Sequence, residues 1–492
     1  VPVVNEQRRV VVIGSGFGGS VTALRLAQAG IPVLLLERGI WWPTGPNANT
    51  FARMFYPDQR CSWLTTSPVL TGLPPALYAP YTGVLDRVHG NGVDILCGAG
   101  VGGGSLVYHG MTLQPTEAVF SEVLPMLDYG ELSQTYYPRV ANMLSIATIP
   151  DDVLNSPNYL SNQLFIQHLT AAGLAPSKIP MPIDWNFARQ ELQGIMKPAY
   201  TTGDVIYGVN NGGKHSLDVT YLAQAVATGL VEIATLNVVQ EVALNPQGKW
   251  VVTANQITTG GTTVQQNVIT ADAVFMGAGV AGTTRLLMRA QAKGTIPDLP
   301  NGIGTQVGTN GDRIYSWTDL LQNTGALQGG PACIGYKDWS NPSTALTIVH
   351  GPIPVPVESH IMSIIGYGVT PVRGTFQYNS SADDIVLNYP HDTETDLNNA
   401  IQATINQITG STPGLLVDTT DLDSTTFHPL GGAPMGSVCD QYGRVQGQKG
   451  LYVMDGSLIP GSTGACNPSM TIAALAERNI GTIISKDVGT VF

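Results

Sequence analysis

The first unbroken apolar run of the chain is Val10-Val-Val-Ile13, preceded by Arg8 and Arg9, and it reads as a strand buried on both faces. Glycine-rich residues 14–19 follow. Val21, Leu24 and Ala27 then recur at helical spacing over residues 20–29. Gly30 stops that helix, and Ile31 to Leu36 forms a second apolar run ending in Glu37. Farther on, short alternating segments at Val231–Ala234, Val238–Ala243 and Trp250–Asn255 lead to another buried run over 273–279, then to a helix over 282–292. These segments predict a return to the first sheet. Residues 120–200 and 300–415 have longer loops, more aromatic residues and alternating strands at 345–350, 360–366 and 384–389. They predict a second domain on a mostly antiparallel sheet with helices. Near the end, Leu451–Met454 reads as a strand and Ser469–Ile484 as an amphipathic helix.

Strand, glycine turn, helix, strand and acidic end form a Rossmann-like dinucleotide-binding opening. In Gly14-Ser-Gly-Phe-Gly-Gly19, Gly14 permits the tight turn, Gly16 lets backbone approach a pyrophosphate, and Gly19 lets helix and strand pack closely, with Gly18 beside it. The helix N-terminus then faces the phosphates. Glu37 is placed to bind the ribose hydroxyls of an adenosine, which NAD and FAD share. A second loop, Gly98-Ala-Gly-Val-Gly-Gly-Gly-Ser105, is dense enough in glycine to wrap a flat ring or a pyrophosphate; its contacts fall to Gly100, Gly102, Gly103, Gly104 and Ser105. Simple NAD enzymes need no second loop of this kind, so FAD is favoured. The predicted fold class is α/β: a Rossmann-like FAD-binding domain from residues 1–119, 201–299 and 416–492, interleaved with a substrate-binding domain from 120–200 and 300–415.

Composition narrows the partners. The formal charge is −12 over 492 residues, a field that repels nucleic acid and anionic lipid. Charged residues are 12% of the chain, against about 25% in typical domains. That low share is familiar in secreted bacterial proteins and, with a first residue other than Met, leads to an expectation of a secreted protein with its signal peptide removed; trimming of the chain and a cytoplasmic location stay open. No window of about 20 apolar residues predicts a membrane span. Cys61, Cys97, Cys333, Cys439 and Cys466 are odd in number, so at least one thiol is unpaired, and no metal site is expected. Leu70 to Tyr81, an apolar loop with three prolines, reads either as packed on its own domain or as a lid touching a membrane surface.

The candidate chemistry gathers late in the chain. His428 lies in His-Pro-Leu-Gly-Gly, where Pro429, Gly431 and Gly432 fix an irregular loop, and its ring is suited to take an alcohol proton as hydride leaves. Asn467 followed by Pro468 reads as an N-cap with Pro at the first helical position, so the positive end of the helix opening with Ser469 points at the cofactor. Asp455-Gly456 closes the strand before it and offers a backbone N–H to a ribityl-phosphate chain. Glu358 follows an extended segment poor in charge; if buried there, desolvation makes it a base near neutral pH, and if exposed it is an ordinary strand-edge carboxylate.

At these residues the chain resembles the glucose–methanol–choline oxidoreductase family, and within it the bacterial flavin-dependent cholesterol oxidases. The resemblance runs nearly end to end, through GSGFGGSVTALRLAQAG, Tyr81-Thr-Gly-Val-Leu-Asp-Arg-Val88, GVGGGSLV, Val205-Ile-Tyr-Gly208, HPLGG, DGSLIPG and ALAERN. It implies non-covalent FAD, hydride transfer from an alcohol to flavin N5, and peroxide formed from O2. It places His428 and Asn467 on the active-site His and Asn, and Glu358 on the glutamate that moves a steroid double bond from Δ5 to Δ4. Further cofactor contacts are expected at Tyr108, Met111, Val239 and Gly279. Tyr108 stands where related enzymes carry an asparagine beside the flavin, Phe427 replaces a tyrosine and Ala433 a cysteine. The implied partners are a small hydrophobic alcohol, a sterol first, and O2, met by a monomer. The competing readings are an oxidase of another hydrophobic or primary alcohol without isomerase activity, a dehydrogenase using a different acceptor, and a lipid-binding protein with an idle flavin fold.

Overall fold

The computed structural model describes residues 1–70 and 75–492. Strand Val3–Ile13 pairs in parallel with Val33–Leu36 on one side and Thr263–Met276 on the other. Strand Leu451–Val453 pairs in parallel with Thr263–Met276, and Val231–Ala234 with Val33–Leu36. The register sets Ile13 level with both Leu36 and Met276, and Met276 level with Val453. Five strands therefore deliver their carboxyl ends, and the loops after them, to one edge of a seven-stranded sheet, the place where open parallel sheets bind ligands. Only Val10–Ile13 of the first strand is buried; its exposed first half, Val3–Gln7, lacks the apolar run that marks the rest. The run at 273–279 is the end of a strand whose first part pairs antiparallel with Trp250–Ile257. The predicted helices form at Phe17–Gln28, which starts earlier and ends one residue short, and at Gly279–Lys293 and Pro468–Asp487, which reach beyond both predicted ends.

The second sheet has six strands, in the order Gly414–Asp418, Arg313–Asp319, Ile361–Gly368, Leu346–Gly351, Ile334–Asp338, Ser177–Lys178, and every pair is antiparallel. One face is closed by helices Leu160–Ala171 and Thr395–Thr409, with Phe165, Ile401 and Ile405 packing in one core with Trp317, Met362 and Ile364. The division of the chain differs from the expected one in three places. Strand Gly414–Asp418 completes this sheet, across the boundary expected at 415/416. Hairpin Thr375–Asn379 with Asp384–Asn388 packs instead on helix Gly279–Lys293, through Phe376, Ile385 and Val280 and an Arg285–Asp384 ion pair at 2.6 Å. Phe120, Leu132, Tyr137 and Val140 join the core of the first sheet. An apolar helix or hairpin face is the same whichever sheet it covers, so local pattern does not assign it.

The 70–81 loop is anchored where it is described. The Tyr78 hydroxyl meets Ser62 Oγ at 2.8 Å and Cys61 Sγ at 3.2 Å, and Leu70 and Tyr81 pack against the core cluster that contains Trp42 and Phe51. Leu77 is exposed, and residues 71–74 lie outside the described residues. All five cysteines are free thiols. Among the described residues no helix is long and apolar enough to cross a membrane.

Candidate active site

The glycines of the two loops divide by what a side chain would meet. A Cβ at Gly14, where φ is +92°, would lie 2.2 Å from Gly277 O; at Gly18, 2.0 Å from Met454 O; at Gly19, 2.0 Å from Gly14 O. These three let the strand ends close on the helix. Gly18 serves the contact with the strand at Leu451–Val453. At Gly16 and Gly104 a Cβ meets nothing within 4 Å, and the same holds at Gly279. The open positions face the space before the helix N-termini that a phosphate chain needs. The loops also touch: a Cβ at Gly103 would lie 2.8 Å from Gly16 Cα, Gly102 N–H donates to Ser15 Oγ at 3.1 Å, and Ser15 Oγ lies 3.2 Å from Gly100 O. The arrangement fits a dinucleotide laid across both.

One expected result follows from this division. Gly16 has φ −73°, which any residue adopts. Gly16→Val should change stability by no more than about 0.5 kcal/mol and lower FAD affinity by about tenfold or more, measured as melting temperature and bound flavin. Gly18→Ala should fail to fold.

Glu37 is more engaged than its expected role requires. Its carboxylate accepts from Ser15 N at 3.2 Å, Ser15 Oγ at 2.5 Å, Gly39 N at 2.9 Å and Gly100 N at 3.3 Å, filling the roughly four lone-pair sites it has. It therefore clamps the two loops together rather than standing free for a ribose. Val239 directly precedes a bulge in its strand, and nearby Asn237 N–H donates to Glu37 O at 2.9 Å. Ser105 Oγ donates to Gly102 O at 2.7 Å, and Ser469 Oγ donates to Met111 O at 3.4 Å, joining the last helix to the segment after the second loop. The buried Asp455 carboxyl is pushed above its ordinary range by burial, although it accepts from Ser457 N–H, the Ser457 hydroxyl, Gly279 N–H and Thr283 Oγ1. It braces Gly279 and the Gly456 turn, and Gly456 O in turn accepts from Gly431 N–H at 3.0 Å.

That last bond begins the loop that carries His428. Leu430 and Gly308 exchange backbone hydrogen bonds at 3.0 and 2.9 Å, and a Cβ at Gly431 or Gly432 would strike Gln306 O or Thr284 Oγ1. Held this way, the His428 ring is T-shaped to Tyr367, with centroids 5.5 Å apart. His428 Nδ1 lies 2.5 Å from Asp312 Oδ1 and Nε2 lies 3.1 Å from Asn467 Nδ2, while the Tyr367 hydroxyl donates to Asn467 Oδ1 at 2.8 Å. The His428 side chain keeps 16% of its surface exposed. An alcohol hydroxyl entering between His428 and Asn467 would give its hydrogen to Nε2 and take one from Nδ2.

Asn467 departs from its expected cap role. It precedes helix Pro468–Asp487 with extended backbone, but its side chain makes no cap bond, because the amide is committed to His428 and Tyr367. Glu358 departs further. Burial raises its pKa, but backbone N–H groups of His360, Thr324 and Gly325 outweigh burial and hold the carboxyl below its ordinary value. It also accepts from Thr324 Oγ1 at 3.0 Å, and none of these partners belongs to the His428 group. The raised-pKa base expected there is not formed. Asp312, Tyr367 and Lys214 were not predicted. The buried Lys214 donates to Leu106 O at 2.9 Å and Tyr108 O at 3.0 Å, and burial pushes it down to about 7. It braces the segment after the second glycine loop beneath Tyr108, whose ring also meets Phe17 edge-on. The one sequence signal for Asp312 is its place in Gly-Thr-Asn-Gly-Asp312, a polar turn opening a strand.

Family comparison agrees with this geometry. Residues 11–310 match the model of the family described as GMC oxidoreductase, 310–416 that of GMC oxidoreductase, C-terminal, and 380–476 a further GMC oxidoreductase model. The chain belongs to the GMC oxidoreductase family. Among curated relatives it is 27% identical to a cholesterol oxidase of Mycobacterium tuberculosis (strain CDC 1551 / Oshkosh), over 95% of this chain and 90% of that one. It is 22% identical to a cholesterol oxidase of Acinetobacter baumannii, over 97% and 94%. The crystal structure of pyridoxine 4-oxidase from Mesorbium loti shares the fold, with TM-score 0.64 and 16% identity over 96% of this chain and 99% of that one. As a GMC oxidoreductase the chain is an FAD-dependent oxidoreductase acting on CH–OH groups.

Proposed function

We propose that this GMC oxidoreductase oxidises a hydrophobic alcohol, a 3β-hydroxysteroid first, using non-covalently bound FAD and passing the electrons to O2 to give H2O2. The supporting observation is the second face of the six-stranded sheet. Register puts Leu415 and Val417 beside Thr318 and Ser316, these beside Ile361 and Ser363, and Ile314 beside Ile365, all on the face that carries Tyr367. That face is aliphatic and small-sided, exposed at Leu415 and Val417 and half-buried elsewhere, and at Tyr367 it meets Asn467. From Ile361 to Tyr367 it runs about 20 Å at roughly 3.4 Å per residue, long enough for a rigid multi-ring alcohol. At its far end Leu320 and Leu321 are 64% and 69% exposed, near exposed Val357 and Leu415, an apolar rim that supports substrate uptake by transient contact with a lipid surface.

In this reading FAD, when bound, would supply the two-electron acceptor for the carbinol hydrogen. His428 Nε2 accepts the hydroxyl proton, and Asn467 Nδ2 holds the oxygen as negative charge develops there. Gly16 and the second loop would hold the phosphates and ring, and Glu37, which clamps the two loops, would reach the ribose hydroxyls only by releasing the Ser15 hydroxyl.

Isomerisation of the steroid double bond is a second activity of this reading, assigned to Glu358, whose carboxylate form is stabilised by backbone N–H groups. Glu358→Gln should leave flavin reduction within about twofold while lowering the isomerised share of product; equal loss of both removes that role. The substrate assignment is tested by anaerobic mixing of FAD-loaded enzyme with 3β-hydroxysterols and with short primary alcohols, followed by air. Bleaching by sterols and peroxide on reoxidation are expected. Bleaching by short alcohols alone overturns the sterol assignment, and recolouring without peroxide overturns O2 as acceptor.

A further inference from the structure

We infer that Asp312 is the positioning residue that fixes which ring nitrogen of His428 carries the proton, leaving Nε2 as the proton acceptor. The kinetic part of this inference rests on the proposed alcohol oxidation; the hydrogen-bond part does not. Asp312 stands directly before strand Arg313–Asp319, with side-chain exposure of 8%. Its Oδ2 accepts from Thr426 Oγ1 at 2.7 Å and Phe427 N at 3.1 Å, and its Oδ1 faces His428 Nδ1 at 2.5 Å. The Thr426 hydroxyl also lies 3.3 Å from Thr309 O, but the Asp312 contact is the shorter and takes the hydrogen. A carboxylate only accepts, so Nδ1 must donate.

The other end of the chain of bonds agrees. Burial pushes the Tyr367 phenol well above its ordinary value, so it stays a donor, and it donates to Asn467 Oδ1. Asp312 makes Nδ1 the protonated nitrogen, so Nε2 accepts, and with the Tyr367 hydroxyl on Oδ1 the Asn467 amide presents its Nδ2–H to Nε2. Every hydrogen from Tyr367 through Asn467 and His428 therefore points toward Asp312. An entering alcohol finds a nitrogen lone pair and an amide donor already aimed.

The same contacts dictate what an amide at this position does. In Asp312→Asn the amide oxygen stays where the Phe427 N–H and the Thr426 hydroxyl require an acceptor. The NH2 group then faces His428 Nδ1, which must become the acceptor, and the ring proton moves to Nε2. There it opposes Asn467 Nδ2–H and closes the route for the alcohol proton. In a serine-protease triad the equivalent Asp-to-Asn change preserves geometry and costs about 10⁴-fold through the wrong tautomer.

The test uses ¹⁵N-histidine-labelled FAD-loaded wild type, Asp312→Asn and Asp312→Ala, with the His428 signal assigned by its loss in His428→Gln. Nitrogen shifts report the tautomer, and anaerobic stopped-flow reports flavin reduction. Wild type should show protonated Nδ1, and Asp312→Asn protonated Nε2. The Asn variant should reduce flavin about 10³- to 10⁴-fold more slowly, with flavin content kept and apparent alcohol affinity changed by less than about threefold. Asp312→Ala imposes neither tautomer and should lose less. An unchanged tautomer in Asp312→Asn, or a loss no greater than in Asp312→Ala, overturns the inference. A reversed tautomer with undiminished flavin reduction supports the hydrogen-bond assignment and overturns His428 as proton acceptor in the proposed oxidation.

Discussion

His428→Ala should slow flavin reduction by alcohol about 10²- to 10⁴-fold, the range for loss of a positioned proton acceptor. No neighbour can replace it. Asp312 stands behind the ring, on Nδ1, and Asn467 presents an N–H donor to Nε2. Removing the ring also leaves Asp312 Oδ1 without its partner at 2.5 Å, which should cost about 1–3 kcal/mol of stability. The stability loss and the rate loss are separable by melting temperature, bound flavin and anaerobic stopped-flow on the same sample. A variant that keeps its flavin and reduces it at the wild-type rate removes His428 from the reaction.

Asn467→Ala should cost about 10²- to 10³-fold, the usual effect of deleting one preorganised donor where an oxygen gains negative charge. Its side chain makes no helix-cap bond, so loss of a cap does not contribute. The Tyr367 hydroxyl would instead be left buried without its acceptor, at about 1–3 kcal/mol. Because His428 and Asn467 hold one hydroxyl between them, the double variant should lose much less than the product of the single losses. Stopped-flow rates of the three variants decide this; independent, multiplying losses mean that the two residues do not share the same oxygen.

The cofactor side of this site was legible because close backbone packing and open space both demand glycine. Gly14 has the positive φ of a tight turn, Gly19 lies against Gly14 O, and at Gly16 a Cβ would meet nothing within 4 Å. His428 and Asn467 stood out in the sequence as a ring in a fixed loop and an amide before a helix, and the fold brings them to 3.1 Å from each other. What the amide does was not legible there. Its bonds to His428 and Tyr367 span 39 and 100 residues, and only folding shows that they displace the cap. Asp312, 116 residues from His428, is an ordinary turn aspartate in the sequence. Whether Glu358 is a raised-pKa base was open in the sequence, because its character depends on backbone N–H groups from a different loop, at Thr324 and Gly325, which no local pattern reports. The chain division was misread for the same reason: hairpin 375–388 and helix 117–123 carry apolar faces that fit either sheet.

The central claim is that the Tyr367–Asn467–His428–Asp312 group oxidises an alcohol against bound FAD. Its most direct measurement is an anaerobic titration of FAD-loaded enzyme with a hydrophobic alcohol, following flavin colour and carbonyl product together. One equivalent of alcohol should bleach one flavin and yield one carbonyl, and the His428→Ala enzyme should remain yellow on the same timescale. Full flavin occupancy with no bleaching by any alcohol tried, or equal bleaching in wild type and His428→Ala, would contradict it.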